Sequence, residues 1–287
     1  MQFPIRQLPA EEFPPLMREM PQRPKALYIR GELPPAGYKF LCVVGSRACS
    51  PYGRRVTQQL IAGLAGYPVA IVSGLALGID GEALKAALDV GLPAVAVLPS
   101  SCDDASIYPR TNLPLAQRIL ARGSALISET KGPYKAMLHD FPKRDRLMAG
   151  MTEATLITEA GEKSGTLITA RLALDYNREV LGIPHELGRE TGAGVNRLIR
   201  EGATLVRDAD DILQVLGIKP SDKPTQPSLP ADLTAPEAAV LEALTEATEK
   251  DTLIDAAGLS AQDANIALSS LLLRGLIIER LGKIERA

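Results

Sequence analysis

The stretch FLCVVGSRACSPYG, residues 40–53, combines a short apolar run, a glycine-bearing turn and the start of a helix. An apolar run without polar alternation is typical of a strand that is buried on both faces, as in a parallel sheet. Ser50 and Pro51 suit a helix start, because serine caps a helix N-terminus and proline fits the first turn. The stretch therefore predicts a strand, a turn at Gly45-Ser46-Arg47 and a helix.

The same alternation of strand and helix continues along the chain. Further apolar runs lie at 69–74, 94–100, 124–129, 154–160, 178–184 and 203–208. Amphipathic segments of helical length lie at 52–66, 78–90, 112–122, 143–150, 165–176, 194–201 and 209–216. Strand and helix in turn imply right-handed crossovers. We therefore predict an α/β fold with a Rossmann-like, doubly wound and mostly parallel sheet.

The two ends of the chain are organised differently from this central domain, which we place at 37–218. Residues 1–36 are rich in proline, which interrupts helices, and they predict an extended N-terminal arm that contains at most one short helix. Prolines and small polar residues at 219–233 predict a linker. Residues 234–287 predict three helices and a hairpin that turns at Gly282-Lys283, which together suggest a small winged-helix domain.

Composition restricts the classes of function. The formal net charge of the 287 residues is −2, so any nucleic-acid site must be a local patch. The three cysteines form no CxxC pair and there are only two histidines, which argues against disulfides and metal centres and favours the reducing cytoplasm. No apolar run approaches the roughly 18 residues of a spanning helix, and the N-terminus lacks a signal-peptide pattern. We expect no membrane association.

In an α/β sheet, ligands bind beyond the carboxyl ends of the strands. At the first of these ends, Gly45, Ser46 and Ser50 offer a tight turn with hydroxyl and N–H donors, and Arg47 offers a planar fork that suits phosphate. The single glycine does not match the G-x-G-x-x-G pattern of dinucleotide-binding folds. An alternative is that Ser50 only caps the helix and Arg47 pairs with a carboxylate.

Two further turns at this edge are candidates for the same site. Gly74 permits a close backbone approach after the second strand, although a simple strand-to-helix connection is the alternative. Lys163, Ser164, Gly165 and Thr166 bring a cation, hydroxyls and N–H groups to a helix entrance, which suits phosphate. Their order is not that of a Walker A loop. The alternative is that Ser164 or Thr166 serves only as an N-cap.

A basic cluster adds three cations. Lys143, Arg144 and Arg146 lie within four residues and are a candidate wall for a groove that holds a phosphate backbone. The alternative is a solvated start of a charged helix. Spacing alone brings together no nucleophile, base and orienting group for catalysis.

Together, these motifs resemble those of the DNA-processing protein A (DprA/Smf) family. The matching stretches span roughly 40–216 and are VVGSRACSPYG, VSGLALGID, VAVLPSSCDDASIYPRTN, FPKRDRLMAG, EAGEKSGTLITARLALDYNREVLGIP and GVNRLIREGATLV. The resemblance implies a protein that binds single-stranded DNA, protects incoming strands in natural transformation and helps to load a RecA-type recombinase. It also implies a homodimer, no cofactor and no catalytic activity.

The resemblance assigns the DNA-binding cations of the family to Arg47, Lys163 and the basic cluster at 143–146. Three positions depart from the family pattern. Asp145 replaces the asparagine of its R-N-R motif, His185 replaces a glycine after proline, and Leu84 replaces a histidine. An acid between two arginines either weakens a DNA contact or pairs with one of them.

The sequence leaves two alternative functions to consider. The "lonely guy" phosphoribohydrolases have a related fold, but the loop EAGEKSGTLITA lacks their paired glycines and their glutamate after the threonine. A regulator that binds DNA through the winged helix is the second rival, and Arg274 is the one cation of the predicted recognition helix at 261–274. The low aromatic content of 4% favours contacts to the DNA backbone with little sequence preference.

Overall fold

The computed structural model describes residues 3–219, 233–244, 248–273, 277–280 and 283–286. These residues form two compact units, one before and one after the gap at 220–232. Most of the predicted linker lies outside the described residues. Within the described ranges, no helix is both long and apolar enough to cross a membrane.

The first unit is built on a single sheet. Its described strands are β1 (Ile5–Leu8), β2 (Leu27–Gly31), β3 (Lys39–Val44), β4 (Val69–Ser73), β5 (Ala94–Val97), β6 (Ala125–Ser128), β7 (Ala154–Ile157), β8 (Glu179–Gly182) and β9 (Thr204–Leu205). They are ordered β1-β2-β6-β5-β4-β3-β7-β8-β9. All neighbours from β6 to β9 pair in parallel. The predicted mostly parallel sheet is confirmed.

Helices cover both faces of this sheet. Those described are α1 (Pro51–Gly63), α2 (Ile79–Asp89), α3 (Leu113–Ala121), α4 (Asp140–Met151), α5 (Thr166–Asp175), α6 (Glu190–Arg200) and α7 (Ala209–Val215). Leu41 and Val43 of β3 pack with α1, α2, α3 and α7 on one face. Cys42 and Val44 pack with α4, α5 and α6 on the other. Successive residues of a strand point to opposite faces, so the uninterrupted apolar run of β3 places side chains in the hydrophobic cores on both faces of the sheet.

The first 36 residues differ from the predicted extended arm. β2 pairs antiparallel with β6, and β1 pairs antiparallel with β2, so both strands extend the sheet. The segment between them buries Met17 and Met20 in the core that faces α4. Prolines exclude long helices here, but the short stretches between them gain strand hydrogen bonds from a sheet edge formed by distant residues.

The second unit contains helices and a small sheet. Its described helices are α8 (Ala235–Ala243), α9 (Lys250–Ala257) and α10 (Ala261–Leu273). The strands β10 (Thr248–Glu249), β11 (Ile277–Arg280) and β12 (Lys283–Arg286) form an antiparallel sheet in the order β10-β12-β11. Gly282 of the predicted turn lies outside the described residues, whereas Lys283 begins β12. The assignment to the winged-helix class stays a prediction.

Candidate functional site

The carboxyl ends of three neighbouring strands open into one cavity of about 610 Å³. Its lining includes residues 45–48 after β3, and Ala76 and Asp80 after β4. It also includes residues 164–166, which come after β7 and lead into α5. β3 lies between β4 and β7, where the order of the strands reverses along the chain. Such a switch point is the usual ligand crevice of a doubly wound sheet.

The turn after β3 is held by backbone contacts at both ends. The Ser46 N–H donates to the main-chain oxygen of Glu159 at 2.8 Å, and the Ser50 N–H donates to Glu159 Oε2 at 2.8 Å. The Ser46 carbonyl accepts from the N–H of Ile79 at 3.1 Å. A Cβ at Gly45 would lie 2.6 Å from Ile79 Cγ1, so only glycine fits beneath the turn.

Arg47 projects from this turn at the mouth of the cavity. Its side chain is exposed, and its guanidinium carbon lies 5.1 Å from the ring centroid of Phe141, a cation–π distance. Within the part of the chain that the structure describes, Arg47 has no salt bridge or side-chain hydrogen bond, so the alternative of a direct pairing with a carboxylate is not seen, although its charge acts at longer range to lower the pKa of Asp145 against the larger effect of burial. The sequence patterns did not indicate Phe141, although it is one of only four phenylalanines and lies two residues before the basic cluster.

Ser50 adopts the capping role that was its alternative. Its Oγ accepts from the Gly53 N–H at 3.1 Å at the start of α1. The cavity lining does not include Ser50. Ser50 therefore stabilises the start of α1, next to the turn that carries Arg47.

The basic cluster differs from the predicted wall of three free cations. Arg144 is only 5% exposed, and its Nη1 donates to the Val97 carbonyl at 3.1 Å. Arg146 donates to both carboxylate oxygens of Glu129 and to the Gln22 carbonyl. Lys143 is exposed, with its Nζ 3.3 Å from Asp140 Oδ1, and it does not line the cavity. The reason is helical geometry, because at about 100° per residue Arg144 lies on a different face of α4 from Lys143 and Arg146.

Arg144 is a buried cation between two carboxylates. Its Nε donates to Asp145 Oδ1 at 2.9 Å, and its guanidinium fills the space above Gly74, where a Cβ would overlap it. Asp80 Oδ2 accepts from the Gly74 N–H at 3.1 Å. Burial raises the pKa of Asp80 to about 6, against the opposing effect of Arg144, and burial also raises the pKa of Asp145. Gly74 thus contributes through close packing of these groups.

Residues of the turn after β7 line two different cavities. Ser164, Gly165 and Thr166 line the first cavity together with Arg47. The Thr166 N–H donates to Ser164 Oγ at 3.3 Å, so Ser164 gives a partner to the first N–H group of α5, as its alternative role requires, while it also lines the cavity. Lys163 is exposed and lines a neighbouring cavity of about 660 Å³, which also contains Arg189. The structure therefore places Lys163 beside the first cavity.

His185, one of the departures from the family pattern, has packing and hydrogen-bond contacts. Its Nε2 lies 2.9 Å from the Thr158 carbonyl oxygen, and its ring makes an edge contact with Tyr52 at 5.2 Å. Its main chain exchanges two hydrogen bonds with the Asn196 amide. Among the described residues, no group of three or more His, Cys, Asp or Glu side chains is placed to hold a metal ion.

The fold and the cavity define a doubly wound α/β protein with a crevice at the switch point of its sheet. A family model described as "DNA recombination-mediator protein A" matches residues 5–217, and the chain belongs to that family. The resemblance seen in the motifs is confirmed.

Relatives and solved structures agree with this assignment. Protein Smf of Escherichia coli K12 is 40% identical over 207 residues, which are 72% of this chain and 55% of that protein. The chain thus spans about half the length of this relative. The X-ray structure of DNA processing protein A from Streptococcus pneumoniae has a TM-score of 0.69 at 33% identity, over 74% of each chain. A structure of DNA processing protein A from Helicobacter pylori, whose subject is its single-stranded DNA binding mode, has a TM-score of 0.65 at 27% identity, over 75% of this chain and 98% of that one.

Proposed function

We propose that this protein binds single-stranded DNA at the rim of the first cavity, with Arg47 as the principal phosphate contact. The observation that carries the proposal is an exposed arginine at the cavity mouth without an ion-pair partner in the described part of the chain. The N-terminus of α5 lines the same cavity through Ser164, Gly165 and Thr166. The positive end of the helix dipole attracts phosphate, and this attraction adds to that of the Arg47 charge.

Lys163 extends the proposed contact surface into the neighbouring cavity. A polymer with repeated phosphates can engage both cations, whereas a mononucleotide engages one of them. The Helicobacter pylori relative, which binds single-stranded DNA, supports a polymer ligand. We propose supporting roles for Arg144 and Arg146, whose guanidinium groups already have protein partners.

We further propose the cellular role that the resemblance to the family implies. In this role the protein protects incoming single strands and helps to load a RecA-type recombinase, as a homodimer in the cytoplasm. We propose that it acts without a cofactor and without catalysis. The residues after Thr166 are Leu, Ile and Thr, so the loop does not supply the glutamate that a phosphoribohydrolase would need there.

Fluorescence anisotropy with a labelled oligo-dT tests the binding proposal. We expect Arg47→Ala to raise the Kd at least about tenfold, because a hydrogen-bonded charge contact is lost. Lys163→Ala should raise it less. Arg122→Ala is the matched control, since this exposed arginine precedes β6 and lies at the amino end of the strands. Absence of binding by the wild type at low salt, or full binding by the Arg47→Ala/Lys163→Ala variant, would refute the proposal.

The salt dependence of binding gives a second measure. Each neutralised phosphate contributes about −0.7 to the slope of log K against log salt concentration for single strands. Arg47→Ala should therefore flatten the slope by about that amount, and Arg122→Ala should leave it unchanged. Release of ribose phosphate from AMP by the purified protein would instead favour the phosphoribohydrolase alternative.

A further inference from the structure

The first cavity has a rim and a floor of different charge. The rim carries Arg47 and the N-terminal residues of α5, whereas the floor carries Asp80, Arg144 and Asp145. Two carboxylates and one guanidinium make the floor negative when both acids are ionised. The floor therefore disfavours a phosphate, while the rim attracts one.

The guanidinium of the floor is already engaged by protein atoms. Arg144 donates to the Val97 carbonyl and to Asp145 Oδ1. The Asp80 carboxylate accepts from the backbone of Gly74 and Ala76. An anionic ligand group is therefore disfavoured at this depth, and a group that reaches it must bring its own hydrogen-bond donors, because ionised carboxylates only accept.

Asp145 has one oxygen available for such a donor. Its side chain is 13% exposed and lines the cavity, and only its Oδ1 is bonded to Arg144. No hydrogen bond to Oδ2 is present within the described part of the chain. Phe141 lies one helical turn earlier on α4, and its ring already contacts Arg47. Residues four apart on a helix share one face, and Phe141 and Asp145 both line the cavity, so a base stacked near Phe141 would lie within the same part of the cavity as Asp145.

We propose that Asp145 makes this cavity prefer a base that carries an exocyclic amino group over thymine. The proposal rests on the proposed binding of single-stranded DNA. Cytosine, adenine and guanine each present an amino donor, and aspartate accepts from the amino group of cytosine in known readout. Thymine presents carbonyl oxygens on both sides of its one N–H, and these oxygens are repelled by a carboxylate. This preference modifies the expectation of binding with little sequence preference.

Oligo-dC and oligo-dT of equal length form a matched pair for the test, because both are pyrimidines. Anisotropy at mildly alkaline pH should give a Kd for oligo-dC about fivefold below that for oligo-dT, the lower end expected for a single base contact. Asp145→Asn keeps an oxygen for Arg144 and adds a donor, so it should bring the two Kd values within about twofold of each other, mainly by strengthening oligo-dT binding. Thermal unfolding by circular dichroism checks that the variant is folded.

The outcomes separate this inference from the proposed function. No binding of either oligonucleotide by the wild type would overturn both. Equal Kd values for the two oligonucleotides, with Arg47→Ala still weakening them, would overturn the base preference alone. A preference for oligo-dC that survives in Asp145→Asn would assign it to another residue. Should that variant fail to fold, Asp145→Ser replaces it, and the wild-type comparison still decides whether a preference exists.

Discussion

Glu159 links the core of the sheet to the turn that presents Arg47, and its removal is a demanding test of the structure. The residue is fully buried after β7. Its main-chain oxygen accepts from the Ser46 N–H and its Oε2 accepts from the Ser50 N–H, both at 2.8 Å. Replacement by alanine keeps the first bond and removes the second, so it leaves a buried donor at the start of α1 without its partner.

The expected loss of stability combines three contributions. A hydrogen bond to a charged group is worth about 1.5–3 kcal/mol. The negative charge near the α1 N-terminus adds about 0.3–1 kcal/mol. The third contribution has the opposite sign. Glu159 Oε1 is buried and has no hydrogen-bond partner among the described residues, so its removal stabilises the folded state and offsets part of the loss. We expect Glu159→Ala to lower the free energy of unfolding by about 2 kcal/mol, with a Tm decrease of about 4–8 °C.

Urea denaturation of the full chain followed by far-ultraviolet circular dichroism measures this change. Glu159→Gln is the matched control: it retains an acceptor for Ser50 and should cost about half as much. Oligonucleotide binding by Arg47→Ala, Glu159→Ala and the double variant gives a second test. If Glu159 acts by positioning the turn, its effect on the Kd should disappear in the Arg47→Ala background. An unchanged urea midpoint in Glu159→Ala, or fully additive effects on the Kd, would refute this reasoning.

Three further outcomes are expected. Arg144→Met should destabilise the first unit by about 3–5 kcal/mol in thermal unfolding, because it leaves buried carboxylates unpaired, whereas Arg47→Ala should change stability by less than about 0.5 kcal/mol. Because burial raises the pKa of Asp80 to about 6 from 3.8, the folded state holds this proton more tightly than the unfolded state. The associated stability is present below about pH 4 and is lost as the pH rises through about 6, and Asp80→Asn should remove this part of the pH profile in urea titrations. In the second unit, the buried Glu237 accepts from the Thr234 N–H at 2.7 Å and from the Ser270 hydroxyl at 2.6 Å. Glu237→Ala should lower the stability of that unit by about 2 kcal/mol, and amide hydrogen exchange should show faster exchange there while α1–α7 keep their protection.

The regular elements of the first unit were largely predictable from local sequence. The helix predicted at 52–66 is Pro51–Gly63, and the one predicted at 143–150 is Asp140–Met151. Apolar runs such as that of β3 encode burial on both faces, which restricts them to the interior of a parallel sheet. The position of Arg47 at the carboxyl edge followed from the same pattern, because each strand direction determines where its turn lies.

The partners of the charged side chains were not predictable in this way. Arg146 is bonded to Gln22, 124 residues away, and Glu159 to Ser50, 109 residues away. A local cluster of cations looks the same in sequence whether its members face solvent or a carboxylate from another strand. The pairing of β1 and β2 with the sheet depended likewise on β6, a strand far along the chain.

The sequence by itself therefore determined the α/β class, the alternation of strands and helices from β3 to α7 and the edge at which the crevice lies, because periodicity and turn residues are local properties. The tertiary structure decided that Arg47 is exposed on Phe141, that Lys163 belongs to a second cavity and that Arg144 is buried between Asp80 and Asp145. Burial and ion pairing depend on which distant surfaces meet when the chain packs. For that reason, an arginine that resembles a DNA contact in the sequence proves to be part of the cavity floor, and the unexpected acid beside it becomes the candidate for reading a base.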